Sequence, residues 1–311
     1  MSAPPTEAWP ALSYAEWADT RQTLLRWTQI VGKTRLALEP MLNHWWQVTL
    51  YVSARGLTTT AMPCNGGRLL DIEFDFLAHE LVLRVSDGGR QALPLVARSV
   101  ADFYADYQRA LAALNVELHI WPVPVEIPED ALPFAEDRVH ASYDPEAARR
   151  FFKVLVQVDR VFKVFRGRFE GKASPVHFFW GGFDLAATRF SGRPAPPHPG
   201  GIPHVADRVM REGYSHEVAS AGFWPGNPQA PETVFYAYAY PTPPGFAEAP
   251  VKPAAAYFHQ QMGEFILPYE ALRAEPDPDA ALLDFLQTTY EAVADLGHWD
   301  RAALERPDPA G

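Results

Sequence analysis

Eight side chains in this sequence have the types and settings that chemistry needs: His44, His177, His216, Asp184, Glu217, Arg55, Arg189 and Arg193. Most lie in aromatic-rich stretches, where a polar group is costly to bury unless it is paired or used. A neutral imidazole takes and returns protons near neutral pH, so His177 and His44 read as proton carriers, with Asp184 orienting one of them. His177 and His216 with Glu217 make a His-carboxylate set of the kind that holds a divalent metal, the one cofactor these residue types suggest. Arg189 and Arg193 bracket a predicted turn, Arg-Phe-Ser-Gly-Arg, and would grip a carboxylate or phosphate on a ligand. Trp46, Trp180 and Trp224, with Gly181, Gly182 and Gly226 allowing close backbone approach, would line a small-molecule pocket. Each residue also has a plain reading, as a satisfied core histidine or as a surface arginine that balances an acidic chain.

Other chemistries find no support. The sequence has no glycine-rich phosphate loop, dinucleotide fingerprint, His-Glu-x-x-His zinc helix or Gly-x-Ser-x-Gly elbow. Ser215-His216-Glu217 is not a triad, because adjacent strand residues point to opposite faces. Cys64 is the single cysteine, which excludes an intramolecular disulfide and a cysteine zinc site. The net charge of −11 would repel a phosphate backbone, so nucleic acid is not an expected partner. No apolar run reaches the ~20 residues that a membrane helix needs. The opening MSAPPTEAWP has neither a basic nor an apolar signal region, and the expected location is the cytoplasm.

The elements that must position these residues fall into two similar halves. Ser13 and Glu16 form a capping box for a first helix, whose stripe is Trp17, Thr20, Leu24, Trp27 and Val31 and whose exit is placed at Gly32-Lys33. A strand over 44–54 follows, then strands over 69–76, 81–86 and 91–95, a helix over 99–114, a strand over 115–121 and a proline-rich connector over 122–137. Asp71, Glu73 and Asp75 alternate on a solvated face that Arg84 can pair. The second half opens with Asp144-Pro145, a cap followed by a first-turn proline, on a helix to about 169. Its stripe, Leu155, Val158, Phe162, Phe165 and Phe169, repeats the first spacing 138 residues later. The stretch 174–193 reads as one strand and its exit loop, answering 43–60. Strands over 214–224 and 233–241, the Leu267-Pro268 pair and a helix over 278–296 answer 69–76, 81–86, Leu93-Pro94 and 99–114.

The expected fold is α+β: two tandem α-β4-α repeats, residues 1–137 and 138–311, with antiparallel sheets, helices on one face and an approximate internal twofold, in one compact body. The Gly/Pro-rich insertion at 191–213 is long for a connector and reads as a functional loop or lid.

The strings GKTRLALEPMLNHWW, RGLTT, GKASPVHFFWGGFDLAATRFSGR, YSHEVASAGFWPG and LGHWDR resemble a bacterial family of uncharacterised proteins, a domain of unknown function, over about Trp9 to Glu305. The resemblance implies an independent soluble bacterial protein and assigns no activity, cofactor or catalytic residue. From the residues themselves, the expectation is an enzyme on a small organic molecule, with histidine acid-base or His-carboxylate metal-assisted chemistry in an aromatic cleft. The alternative is a non-catalytic protein that binds a small ligand, or a second copy of itself, through that cleft.

Overall fold

The computed structural model describes residues 8–127 and 131–307. The first seven residues, which carry most of the N-terminal stretch read for a signal, and part of the proline-rich connector lie outside that description. The helices are α1 (Tyr14–Leu38), α2 (Val100–Ala113), α3 (Pro145–Gly167), α4 (Asp207–Gly213), α5 (Tyr269–Arg273), α6 (Pro278–Leu296) and α7 (Arg301–Leu304). A first sheet holds β1 (Tyr51–Val52), β2 (Gly56–Thr58), β3 (Met62–Cys64), β4 (Arg68–Asp75), β5 (Glu80–Val85) and β6 (Arg90–Pro94). A second holds β7 (His177–Phe179), β8 (Asp184–Pro194), β9 (His216–Trp224), β10 (Val234–Tyr240), β11 (Tyr257–His259) and β12 (Glu264–Pro268). All pairings are antiparallel, and the fold is α+β.

The first sheet runs β1-β2-β4-β5-β6, with β3 also on β4; the second runs β11-β12-β10-β9-β8-β7. Their inner edges meet where Leu50 and Phe178 exchange two backbone hydrogen bonds of 2.9 Å. On the second sheet, Ala219, Ala221 and Ala237 form a small-residue face that lies against α3 and α6. The opposite face carries Asp184, Thr188, Ser220, Gly222, Tyr236 and Tyr238, the residues that alternate with that helix-covered set.

The three caps built on Ser99, Asp144 and Asp277 form as expected, each side chain accepting a first-turn amide. Ser13 occupies its N-cap position without a side-chain cap bond. Four further expectations are corrected. First, α1 does not exit at Gly32 but continues to Leu38, buried nearly all round from Thr20 to Arg35. Gly32 is instead a contact: a Cβ there would lie 2.2 Å from Trp180 Cδ1, so only glycine lets the indole reach the helix. Second, 43–48 is a 3-10 turn in which His44 (φ 58°) and Trp45 (φ 61°) are left-handed, so alternation does not place their side chains. Third, 174–193 is a hairpin, β7 and β8 around a turn at 180–183, and not one strand. Fourth, 115–121 forms no strand, although Val116 and Ile120 still enter the core. The acidic ladder divides: Asp71 and Glu73 meet Arg84 at 3.0 and 3.2 Å, while Asp75 turns inward to Arg55.

Candidate functional site

The open face of the second sheet has two ends, about 20 Å apart along β9 from His216 to Gly222. At one end stand carboxylates. Asp184, the first residue of β8, accepts a short hydrogen bond from Tyr236 Oη. Glu126 reaches the same place from the connector. A Cβ placed on Gly182 would lie 2.8 Å from Asp184 Oδ1 and 3.7 Å from Glu126 Oε2, so both acids border one point. Gly181 is needed for the same reason, since a Cβ there would meet Glu126 Oε1 at 2.0 Å.

Glu126 is aimed by its neighbours. Its backbone is left-handed (φ 59°) and its amide donates to Pro203 O at 3.0 Å, tying the connector to the 191–213 insertion. Just before it, the fully buried Gln29 of α1 holds both polar groups of Val125, donating to its carbonyl at 2.9 Å and accepting its amide at 2.8 Å. Glu264, at the start of β12, is a third acid on this face. Tyr214 and Tyr238 share a 2.7 Å hydrogen bond beside it.

No arginine or lysine pairs with Glu126, Asp184 or Glu264 among the described residues. Burial pushes the Glu126 carboxyl up to about 7, with the Asp184 charge adding to it. Burial likewise raises Asp184 to about 6, against the lowering effect of the Tyr236 hydrogen bond. Glu264 is raised to about 7 by burial and by Asp184. Glu126 is exposed, and Asp184, Glu264, Tyr236 and Tyr238 are half-buried, so solvent reaches this end of the sheet. Two of these acids have no hydrogen-bond partner among the described residues, and all three are raised from the ordinary carboxyl range toward neutrality. Such groups can give or take a proton, or receive a ligand donor. Trp224 borders this site through a 3.2 Å bond from Nε1 to Gly182 O.

At the other end stand His44 and His216, whereas His177, paired with Ala186 and so level with Gly222, lies on the edge strand and reaches them through Trp46. The His44 ring lies 5.1 Å from Trp46 and 5.7 Å from His216, and Trp46 lies 5.6 Å from His177. His44 is fully engaged: Lys172 Nζ donates to its Nε2 at 2.6 Å, and its Nδ1 faces Gly213 O at 3.1 Å. Burial and the Lys172 charge lower its pKa, which keeps the imidazole neutral as that bonding requires. Its amide also meets Glu212, which fastens α4 to the 3-10 turn. Thr49 gives its proton to Trp46 O, so its oxygen accepts from His177 Nδ1 at 2.8 Å. His177 Nε2 is then left among the rings of Trp46, Tyr51 and Phe179. Burial pushes its pKa down to about 3, so it does not titrate near neutrality.

The remaining expected site residues lie elsewhere. Glu217 faces away from His216 and takes Arg193 and Ser191, so His177, His216 and Glu217 do not form a coordination set. No group of three His, Cys, Asp or Glu among the described residues is placed to hold a metal ion. Arg189 is not at a ligand site. It is buried, donates to Phe165 O and stacks on Phe165, Phe169 and Tyr290. Arg193 caps the C-terminus of α6 through Gly297 O at 2.6 Å and His298 O at 3.3 Å. Trp180 is a core residue, bonded to Val48 O. Sequence reasoning thus found Asp184 and Trp224 but missed Glu126, Glu264 and Gln29. For Glu264 a signal exists, an acid opening the apolar run Phe265-Ile266-Leu267; for Glu126, in an aperiodic proline-rich segment, none does.

No curated protein and no solved structure matches this chain. The family comparison does match, over residues 9–306 and so across both sheets, the connector and this site: the chain belongs to the family of unknown function DUF5996.

Proposed function

We propose that the protein is an enzyme acting on a small organic molecule bound in the carboxylate-tyrosine cleft, with Glu126 and Asp184 as the proton-transferring pair. The observation that carries this reading is the placement of two carboxyls at one solvent-reached point, raised to about 7 and about 6, with no cation among the described residues to hold them ionised. A raised acid can protonate a leaving group while the lower one accepts a proton. Tyr236 fixes Asp184, and Gln29 fixes the connector that presents Glu126. The acid-base role therefore moves from the histidines to the carboxylates. Trp224 and the tyrosines supply the aromatic wall, and the 191–213 insertion, bonded to Glu126 through Pro203, is the roof.

The test is a ligand screen by thermal shift with small amines, sugars and hydroxy acids, followed by product analysis on each hit. Glu126→Gln and Asp184→Asn should bind a hit and lose turnover by two or more orders of magnitude. Turnover unchanged in both variants would refute the reading, and binding without any turnover in the wild type would select the non-catalytic alternative.

We also infer that the chain is an internal duplication, 1–137 and 138–311, of a soluble cytoplasmic bacterial protein. Support comes from matched order. Each half sets a long helix before a six-stranded antiparallel sheet and another after it, and β6 and β12 both end in Leu-Pro. The inner edges, β1 and β7, are the strands that meet at Leu50 and Phe178.

A further inference from the structure

Lys33 lies on α1, and only 3% of its surface is exposed. Its Nζ sits 4.9 Å from the Trp121 ring centre and 5.9 Å from that of Trp180. It has no carboxylate and no hydrogen-bond acceptor among the described residues. Three of the other buried cations are tied to oxygen, Arg26 to Asp137 at 3.0 Å, Arg35 to Gln47 O at 2.6 Å and Arg189 to Phe165 O, while Arg21, like Lys33, lies against a ring, that of Phe183, at 5.1 Å. Trp121 is unusual in the opposite sense. It is 53% exposed, one of the largest apolar side chains left at the surface, and it covers the amine. The amine thus lies between an exposed indole and a buried one, where a flat ligand stacked on Trp121 would bring a reactive group to it.

We propose that Lys33 is an imine-forming lysine that takes an aldehyde or ketone with a flat, apolar body, held against Trp121. The unprotonated amine adds to the carbonyl carbon. The resulting carbinolamine loses its oxygen as water, so that one C=N bond replaces the C=O bond, and no oxidant or reductant is consumed. The protonated imine keeps a positive charge where the ammonium had one, over the same two indole faces, which favours it once formed. Burial lowers the Lys33 pKa to about 8, so a useful share of the amine is unprotonated at mildly alkaline pH. The proposal draws on neither Glu126 nor Asp184, and it stands whether or not they transfer protons.

Benzaldehyde is the probe. Wild-type protein at pH 8 is incubated with it, reduced with borohydride, digested and mapped by mass spectrometry. The expected result is benzylation of Lys33 at least tenfold faster than of Lys153, Lys163, Lys172 or Lys252, although Lys163 is far more exposed. Trp121→Ala should slow labelling of Lys33 several-fold and leave the other four unchanged, and Lys33→Arg should abolish that peptide's label. Labelling of Lys33 at or below the rate of the exposed lysines overturns the proposal. That comparison is internal to one wild-type sample, so it decides the matter even if a variant does not fold.

Discussion

On the second sheet's open face, the histidines His44 and His177 are spent on holding structure. At the carboxylate end, Glu126 and Glu264 are not. His44 locks α4 to the 3-10 turn with Lys172, Gly213 and Glu212, and His177 fills a box of three rings on Thr49. Glu126 and Glu264 keep accessible surface and no hydrogen-bond partner among the described residues, while their protons are held to about pH 7. The difference teaches that the type of a titratable residue is a weaker guide than the state of its partners. Histidine is the usual residue for chemistry near neutral pH. Here burial has moved His177 out of that range and moved two glutamates into it.

The contrast can be broken by substitution. The largest effect is expected at His177. His177→Ala removes a wholly buried ring and leaves Thr49 short of a partner, at a cost of about 3 kcal/mol in stability. Chemical denaturation of the purified variant checks this; a loss below about 1 kcal/mol would mean that His177 is not structural. Gln29→Leu should come next, at about 2 kcal/mol, because both polar groups of Val125 lose their partner. The same variant should let Glu126 drift from Gly182, so its carboxyl should fall back toward the ordinary range.

Asp184→Asn should act in the other direction. The Asp184 carboxyl titrates in the folded chain near 6 against an ordinary 3.8, so the folded state binds the proton more tightly than the unfolded state. Stability is then greatest below the ordinary carboxyl range and falls as pH rises toward 6 and above. Removing the charge should stabilise the protein by about 1–2 kcal/mol at pH 8, after discounting the shift for a side chain that solvent reaches. The gain should vanish near pH 3. Melting temperatures of wild type and variant across pH 3–8 provide the measurement, and destabilisation at every pH would show that Asp184 is a structural anchor instead. Smallest of all, Lys172→Met should cost about 0.5–1 kcal/mol and raise the His44 pKa toward its ordinary value, which NMR titration reads.

Much of the scaffold was legible. Asp144-Pro145 and Asp277-Pro278 mark helix starts by local chemistry alone, and the stripe from Leu155 to Phe169 is buried as its spacing requires. What failed were the places where distant contacts override local pattern. Gly32 reads as a helix exit, yet it is the notch for Trp180 from the other half of the chain. His44 and Trp45 read as strand residues, and their left-handed backbone cannot be inferred from alternation. Of the site, Asp184 and Trp224 stood out by composition. Glu126 did not, because its position depends on Gln29 and on Pro203, 97 and 77 residues away in sequence, neither of which marks it locally.

The most direct measurement is a side-chain carboxyl titration of Glu126 and Asp184 by carbon-13 NMR, with Glu126→Gln and Asp184→Asn used for assignment. The carboxylate-pair mechanism predicts that both titrate between about pH 6 and pH 7, and that removing Asp184 lowers the Glu126 value. Two independent titrations in the ordinary carboxylate range, below pH 5, would contradict it.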